Sequence, residues 1–251
     1  TISEYLKRYY EMLYPEQLKE NEFVCLFLVK TDKEGNPEYD ADGNEVKFHK
    51  YAKSYQQYQE IVEKYKHNFH VYNALATVKM DKNEELHRRE ANMRQRQVLF
   101  IDFDKKDYEN LTTAQEFTSL IKDKLPDVFL HACYDSGHGY HYYISVEHTC
   151  KIRDLCELNK LICEVVGADT NACKVTQVAR VPGTYNRKRL GENGKFPQVK
   201  EVDHYQKHDT TKKNYHPVNM EFIRRRIENA LKVQQNILES KPLEPWNYAS
   251  D

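Results

Sequence analysis

The first 96 residues alternate between helical and strand-like spacing of apolar residues. Two segments carry apolar residues at every third or fourth position, which is typical of amphipathic helices. Short β-rich runs lie between and after them, and the first two flank a polar stretch that contains Gly35, Pro37 and Gly43, which indicates a hairpin with a long loop. Residues 80–96 are almost wholly polar and charged, so we expect an exposed, flexible basic loop there. The predicted helices are 2–19 and 55–65, and the predicted strands are 23–30, 45–49 and 69–79.

From residue 97 onward, the pattern indicates strands separated by helices. This alternation favours an α+β fold class with a mixed or antiparallel sheet and helices on one of its faces. We expect an N-terminal α/β module in 1–96, a sheet-bearing unit in 97–218, and a C-terminal helix with the start of a linker in 219–251. The predicted strands are 97–104, 129–134, 140–146 and 198–202, and the predicted helices are 112–125 with Thr112 or Thr113 as N-cap, 151–166 and 219–238.

The charge is nearly balanced, because 38 Lys and Arg residues against 39 Asp and Glu residues give a formal net charge of −1. Proteins that coat nucleic acid indiscriminately carry a large basic excess, so this balance argues against that class. Basic stretches at 88–96, 187–195 and 224–226 still permit a local positive groove. No apolar run approaches the roughly 20 residues of a membrane helix, and no basic-plus-apolar leader precedes the first helix, so we expect a cytoplasmic protein without a membrane partner.

Six cysteines are present, and none forms a C-x-x-C pair of the kind that nucleates a zinc site. We interpret them as free, mostly buried thiols. The alternatives are a loose zinc site within residues 150–173 and disulfides, which a cytosolic setting disfavours. The six are Cys25, Cys133, Cys150, Cys156, Cys163 and Cys173.

Asp102 and Asp104 stand at the end of an apolar run with one residue between them. Successive side chains of a strand alternate between its faces, so both carboxylates are expected on one face, with Ile101 and Phe103 in the core. Two adjacent carboxylates repel each other unless cations lie between them, and divalent magnesium or manganese has the matching preference for oxygen ligands. Strand-end solvation or a turn would explain such a pair equally well.

Two later segments carry groups suited to phosphates. The segment 136–143 is a glycine turn that leads into a strand; its glycines would let backbone N–H groups approach an anion, and His141 could donate to a phosphate oxygen. The loop 180–188 contains an arginine, a Pro-Gly turn and further hydrogen-bond donors suited to triphosphate or template phosphates. An ordinary hairpin turn and a plain basic surface turn are the respective alternatives.

In this order and spacing, the three segments resemble the archaeo-eukaryotic primase superfamily, in particular the primase-polymerases of plasmids, phages and some CRISPR-linked loci. The resemblance covers about residues 69–202 and implies an RRM-like palm that contains the metal site. It implies that Asp102 and Asp104 are metal ligands and that Asp169 completes the site, with Asp203 as a rival for that third position. The residues that it implies for nucleotide binding are Ser136, Gly137, Gly139, His141, Arg180, Thr184, Asn186 and Lys188.

The resemblance further implies a template-dependent nucleotidyltransferase that synthesises or extends primers with Mg²⁺ or Mn²⁺ in a two-metal site. The implied partners are single-stranded or primer-template DNA, NTP or dNTP, and a helicase or other replication module. Several relatives carry a zinc-binding insertion, for which no ligand set appears here, so zinc is not expected.

Two other functions are compatible with parts of the sequence. A metal-dependent nuclease or phosphotransferase would explain the aspartate pair, but neither the glycine-rich histidine strand nor the Pro-Gly-Thr loop. A non-catalytic replication-initiator module would bind DNA through basic loops, and the intact Asp102 and Asp104 count against it.

Overall fold

A computed structural model of the chain describes residues 2–147, 151–202 and 216–237. In this part of the chain, no helix is both long enough and apolar enough to cross a membrane. The predicted linker in 239–251 lies outside the described residues. The helices are α1 (Ile2–Leu13), α2 (Tyr55–Tyr65), α3 (Ala114–Lys124), α4 (Ile152–Val166) and α5 (Met220–Ile237), and the strands are β1 (Glu22–Lys30), β2 (Lys47–Ala52), β3 (Phe69–Ala74), β4 (Val78–Lys79), β5 (Val98–Asp104), β6 (Ala132–Asp135), β7 (Gly139–Ser145), β8 (Val178–Arg180) and β9 (Lys200–Glu201).

The strands form two antiparallel sheets, which confirms the predicted α+β class. The N-terminal sheet has the order β2-β1-β3-β8, with β4 paired to the start of β1. The central sheet has the order β5-β7-β6-β9. β8 lies in the chain between β7 and β9 of the central sheet, yet it pairs with β3 of the N-terminal sheet. The division of the chain at residues 96 and 97 stays a prediction.

Three helices cover one face of the central sheet, as expected. Ile101 and Phe103 of β5 point to this face and pack in one core with Phe117 of α3, Leu158 of α4 and Ile223 of α5. The ends of the helices follow from local sequence: Thr113, rather than Thr112, is the N-cap of α3 and forms a capping box with Glu116, and α4 ends at Gly167 in the left-handed conformation.

The opposite face of the central sheet shares a core with the N-terminal sheet. Leu26 and Leu28 of β1 pack there together with Phe100 of β5 and with α1. From α1, the Tyr9 hydroxyl donates to Asn73 Oδ1 of β3 at 3.0 Å and lies 3.2 Å from the Tyr143 hydroxyl of β7. One buried side chain therefore bonds to both sheets and fixes their relative position.

Three predicted boundaries are wrong for local reasons. The first helix ends at Leu13 instead of 19, because Pro15 disfavours helical backbone in the residue before it. The predicted strand 69–79 is broken, since Leu75 N–H donates to Gln177 C=O and Thr77 N–H to Gln95 C=O, outside the sheet ladder. The second hairpin strand is displaced to Lys47–Ala52, beyond the predicted 45–49, because Glu45 pairs with Tyr39 of the preceding loop instead of with β1.

The prediction of an exposed loop over 80–96 is also wrong in part. Met93 and Arg96 are buried. Arg96 donates to the backbone C=O of Val98 at 3.0 Å and to Asn159 Oδ1 at 2.8 Å. A buried guanidinium is tolerated only where such acceptors surround it, and the low hydrophobicity of the segment concealed this anchoring role.

Candidate active site

Two carboxylates lie side by side at the end of β5, on the sheet face turned away from the helices. The side chains of Asp102 and Asp104 are each 30% exposed. Lys106 Nζ lies 3.4 Å from Asp104 Oδ2, and His141 Nε2 lies 3.4 Å from Asp102 Oδ1. Each carboxylate therefore has a nitrogen neighbour on one side and remains open to solvent on the other.

His141 is held between the two sheets. The register of β5 and β7 places it opposite Asp102. Its ring packs edge-on against Phe100, with the centroids 5.0 Å apart, and only 6% of the residue is exposed. Its Nδ1 is buried and has no hydrogen-bond partner among the described residues. Because a buried polar atom without a partner costs free energy, an incoming oxygen that reached this ring would be favoured.

The turn before β7 requires its glycines for packing. Gly137 has φ of +94°, and a Cβ there would lie 2.9 Å from Asn186 Cβ. A Cβ at Gly139 would lie 1.8 Å from the carbonyl oxygen of Phe103 on β5. The N–H of Gly137 donates to Asp135 Oδ1 at 2.8 Å. This hydrogen bond holds the turn in place, and the predicted approach of the glycine N–H groups to an anion stays a prediction.

The outer edge of β5 positions the third carboxylate. Asn159 of α4 accepts from Phe100 N–H at 2.6 Å and donates to Phe100 C=O at 2.8 Å, so its amide takes the place of a neighbouring strand. Further along this edge, Asp169 N–H donates to Asp102 C=O at 3.1 Å. The Asp169 carboxylate accepts from Asn171 N–H at 2.8 Å and begins a 3₁₀ turn. Backbone pairing thus brings Asp169 beside Asp102.

β8 and the loop after it form the opposite side of the cleft. Arg180 pairs with Tyr72 in register, and its guanidinium lies 4.9 Å from the Tyr72 ring centroid. Its Nη1 lies 2.9 Å from His70 Nδ1. Beyond the Pro-Gly turn, Asn186 Nδ2 donates to the backbone C=O of Ser136 at 2.8 Å. This contact joins the loop to the glycine turn.

Arg187 anchors the same loop to the N-terminal sheet. Its guanidinium donates to Thr31 Oγ1 at 2.5 Å, to His67 C=O at 2.6 Å and to Asp32 C=O at 2.9 Å. Thr184 Oγ1 donates to Val181 C=O in the turn and is buried. Both side chains are therefore occupied in holding the loop.

Nine of the eleven predicted site residues line one cleft between β5, the glycine turn and β8. Gly137 and Thr184 do not line it. Lys106, Asp107 and His138 line it and were missed, although the first two lie within three positions of Asp104 and the third stands between the two glycines. Asp203, the rival third carboxylate, lies outside the described residues. The nine are Asp102, Asp104, Ser136, Gly139, His141, Asp169, Arg180, Asn186 and Lys188.

Positive charge dominates the β8 side. Burial, together with the nearby cations Arg180, Arg187 and Lys188, lowers the pKa of His70 to about 3. Burial and neighbouring cations, Arg180 among them, also lower the pKa of His138. Both imidazoles are therefore neutral at pH 7 and add no charge of their own. The cleft has carboxylates on its β5 side and guanidinium and ammonium groups on its β8 side.

The three cleft carboxylates supply the donor atoms that hard divalent cations prefer. Asp102 and Asp104 are half-buried and Asp169 is exposed, so all three can reach an ion at the mouth of the cleft. They are spaced more widely than a closed three-ligand cluster, whose ligand atoms would all lie within 4.8 Å of one another. The donor set fits Mg²⁺ or Mn²⁺.

A compact triad of another kind occurs outside the cleft. Across the described ranges, the one set whose ligand atoms all lie within 4.8 Å of one another is Asp81, Glu85 and His87, in the loop after β4. Asp81 accepts from the N–H groups of Asn83 and Glu85 at 2.8 and 2.9 Å. These turn hydrogen bonds account for its position without an ion.

The cysteines in the described residues are buried free thiols. Cys163 Sγ and Cys173 Sγ lie 3.6 Å apart, and Asn159 Nδ2 lies 3.2 Å from Cys173 Sγ. Cys150, which belongs to the alternative zinc site within 150–173, lies outside the described residues.

Three solved structures share this fold at low sequence identity. No protein-family model matches the sequence, and no curated protein matches it. The AEP domain of the cyanophage S-2L primase-polymerase (PrimPol) superposes with a TM-score of 0.56 at 11% identity, over 88% of this chain and 96% of that chain. The crystal structure of primase RepB′ gives 0.51 at 11%, over 95% and 67%, and the catalytic domain of primase RepB′ in complex with initiator DNA gives 0.50 at 9%, over 96% and 98%. At such identity, the likeness is one of fold.

Proposed function

We propose that this chain, which has the fold of an archaeo-eukaryotic primase-type catalytic domain, is a template-dependent nucleotidyltransferase that synthesises or extends primers on DNA. The observation that supports this most is the two-sided cleft, in which Asp102, Asp104 and Asp169 face Arg180 and Lys188. A metal-bound nucleoside triphosphate needs carboxylates for its metal and cations for its phosphates. The catalytic domain of primase RepB′ was solved in complex with initiator DNA, and we extend DNA binding to this chain.

Each side of the cleft has its own task in this proposal. Asp102, Asp104 and Asp169 would hold Mg²⁺ or Mn²⁺, whose chemistry is to activate the primer 3′-hydroxyl and to neutralise charge on the leaving pyrophosphate. His141 and Arg180 donate hydrogen bonds to phosphate oxygens and orient the triphosphate for in-line attack. Arg180 acts as a fixed charge and both side chains act as hydrogen-bond donors, since positioning and electrostatics supply most of the rate in phosphoryl transfer.

Primer extension with labelled nucleotides and Mn²⁺ tests the proposal with the Asp102→Asn variant. The amide keeps the shape of the side chain but binds a divalent cation poorly, so extension should fall by about three orders of magnitude. Asp123→Asn, an exposed change on α3, is the matched control. Extension near the wild-type rate by Asp102→Asn would contradict the assignment.

The same preparation discriminates the alternatives. Degradation of the labelled strand would indicate a nuclease, and a gel shift without extension would indicate a binding module. Mn²⁺ should raise the melting temperature of the wild type, because it relieves repulsion between the carboxylates of the folded protein. The Asp102→Asn, Asp104→Asn double variant should show no such rise.

A further inference from the structure

The outer face of the N-terminal sheet differs in character from its core face. Leu26 and Leu28 of β1 point into the shared core, so Phe27 between them points outward. β2, β3 and β8 contain no acidic residue, and the single acidic residue of β1, Glu22, lies near its start and not among the outward positions. The outward positions of these strands therefore carry no carboxylate. Those around Cys25 and Ala74 are covered by an apolar cluster that includes Met93, and the remaining ones are mainly aromatic and basic.

Four side chains form one continuous row across this face. The strand registers pair Phe27 with His49 on one side and with Tyr72 on the other, and Tyr72 with Arg180. The rings are nearly parallel, with centroids 4.8 Å apart for Phe27 and His49 and 6.0 Å apart for Phe27 and Tyr72. All four side chains are partly exposed. We call this set, together with Arg88, the aromatic row.

Two guanidinium groups lie over the rings of the row. Arg180 covers Tyr72 at 4.9 Å, and Arg88 covers Phe27 at 5.0 Å. Arg88 donates to His49 Nε2 at 3.1 Å and to the backbone C=O of Thr176 at 2.8 Å. Within the described ranges, the ion pairs of the protein include neither arginine. Both cations are half-buried against neutral groups, and an anion placed beside them would be bound without displacing a carboxylate.

The row ends in the proposed active site. Arg180 is its last member and also lines the cleft with Asp102 and Asp104. An anionic chain that followed the row would therefore be delivered to the metal site. Aromatic rings beside arginines without an ion-pair partner are a combination with which proteins bind single-stranded nucleic acid, since bases contact rings and phosphates contact cations.

We propose that the aromatic row binds the single-stranded part of the nucleic-acid template and guides it into the cleft. The proposal rests on the proposed function, because the template is a substrate of that reaction. The Arg88 guanidinium contacts a template phosphate. The exposed edges of the Phe27 and Tyr72 rings contact bases, because the guanidinium groups and the neighbouring rings cover the ring faces. A row that bound the incoming nucleotide instead would affect nucleotide use and leave template affinity unchanged.

Equilibrium binding of a labelled single-stranded oligonucleotide, without nucleotide and at several salt concentrations, tests the row separately from catalysis. Arg88→Gln should raise Kd by about tenfold and reduce the slope of log Kd against log salt concentration by about 0.7, the value of one single-strand phosphate contact. Phe27→Leu should raise Kd by about five- to tenfold with an unchanged slope, because it removes a ring but no charge. Arg88→Lys should restore most of the slope.

Lys64→Gln provides a matched control. Lys64 lies 5.3 Å from the centroid of the Tyr65 ring on α2, so it is also a cation over an aromatic ring, but it lies outside the row. Its loss should change neither Kd nor slope, and thermal melting of each variant verifies folding. If Arg88→Gln and Phe27→Leu both kept the wild-type Kd and salt slope, template binding by the aromatic row would be contradicted. A defect of these variants that is confined to KM for the nucleotide would contradict it as well. Salt-dependent binding that the variants weaken, in a protein that extends no primer, would contradict the proposed function and leave the row standing.

Discussion

The two sheets expose side chains of opposite charge to solvent. The central sheet presents the partly exposed carboxylates Asp102 and Asp104, whereas the N-terminal sheet presents aromatic rings with Arg180 at their end. Both sheets contribute to one shared core, and Tyr9 bonds to a strand of each. A chain with a net charge of −1 can thus hold a strongly acidic and a strongly basic surface side by side. Whole-chain charge is a poor guide to such a cleft because it averages the two surfaces.

The sheets also differ in how their interiors satisfy buried polar groups. Asn73 in the N-terminal sheet bonds mainly to tyrosine hydroxyls, which can rotate to new partners. Asn159 bonds to fixed groups, namely the Phe100 backbone of edge strand β5 and the Arg96 guanidinium. The partners of Asn159, on the acidic side of the cleft, therefore have fewer alternative hydrogen bonds than the partners of Asn73, on the basic side.

The largest effect is expected from Asn159→Ala. This change leaves the Phe100 N–H and the Nη2 donor of the buried Arg96 without their acceptor, although Arg96 keeps its hydrogen bond to Val98 C=O. The loss of both partners should lower the free energy of unfolding by about 3–5 kcal/mol. Asn73→Ala should cost less, about 1–2 kcal/mol, because its hydroxyl partners can bond elsewhere. Urea unfolding of both variants measures the difference. Equal losses of unfolding free energy in the two variants would contradict this difference between the two sheets.

The next effect separates catalysis on the central sheet from binding on the N-terminal sheet. His141→Ala removes a donor to the triphosphate, and one charge-assisted hydrogen bond is worth about 1.5–3 kcal/mol, so kcat/KM for the nucleotide should fall roughly ten- to two-hundred-fold. Affinity for single-stranded DNA should stay unchanged, in contrast to Arg88→Gln. His87→Ala, in the loop after β4, is the control. A His141 variant that extends normally, or that loses only DNA affinity, would assign this histidine to the turn or to the template.

Local patterns predicted one side of the cleft better than the other. The strand that carries Asp102 and the glycine turn before His141 were located correctly, because alternation and turn residues act over a few positions. The pairing of Arg180 with Tyr72 joins residues far apart in the chain, and no short-range pattern encodes that register. The role of Asn159 could not be predicted for the same reason, because its amide pairs with the backbone of Phe100, which is distant in the chain.

The smallest effect concerns the acid sensitivity of the N-terminal sheet. The pKa of His70 is lowered to about 3 by burial and by Arg180, Arg187 and Lys188, while an unfolded histidine titrates near 6.5. Between these values the unfolded chain binds more protons than the folded one. The stability of the neutral form is therefore complete above about pH 6.5 and declines as the pH falls below it.

For a single histidine that remains partly exposed, the expected loss between pH 7.5 and pH 5 is about 1–2 kcal/mol. His70→Asn keeps an acceptor for Arg180 but cannot be protonated, so its stability should decline less over the same interval by that amount. Lys64→Gln, an exposed change on α2, should decline as the wild type does. Urea unfolding at the two pH values provides the comparison. Parallel declines in all three proteins would show that His70 is protonated in the folded state, and the basic surface beside the cleft would then be weaker than its three cations indicate.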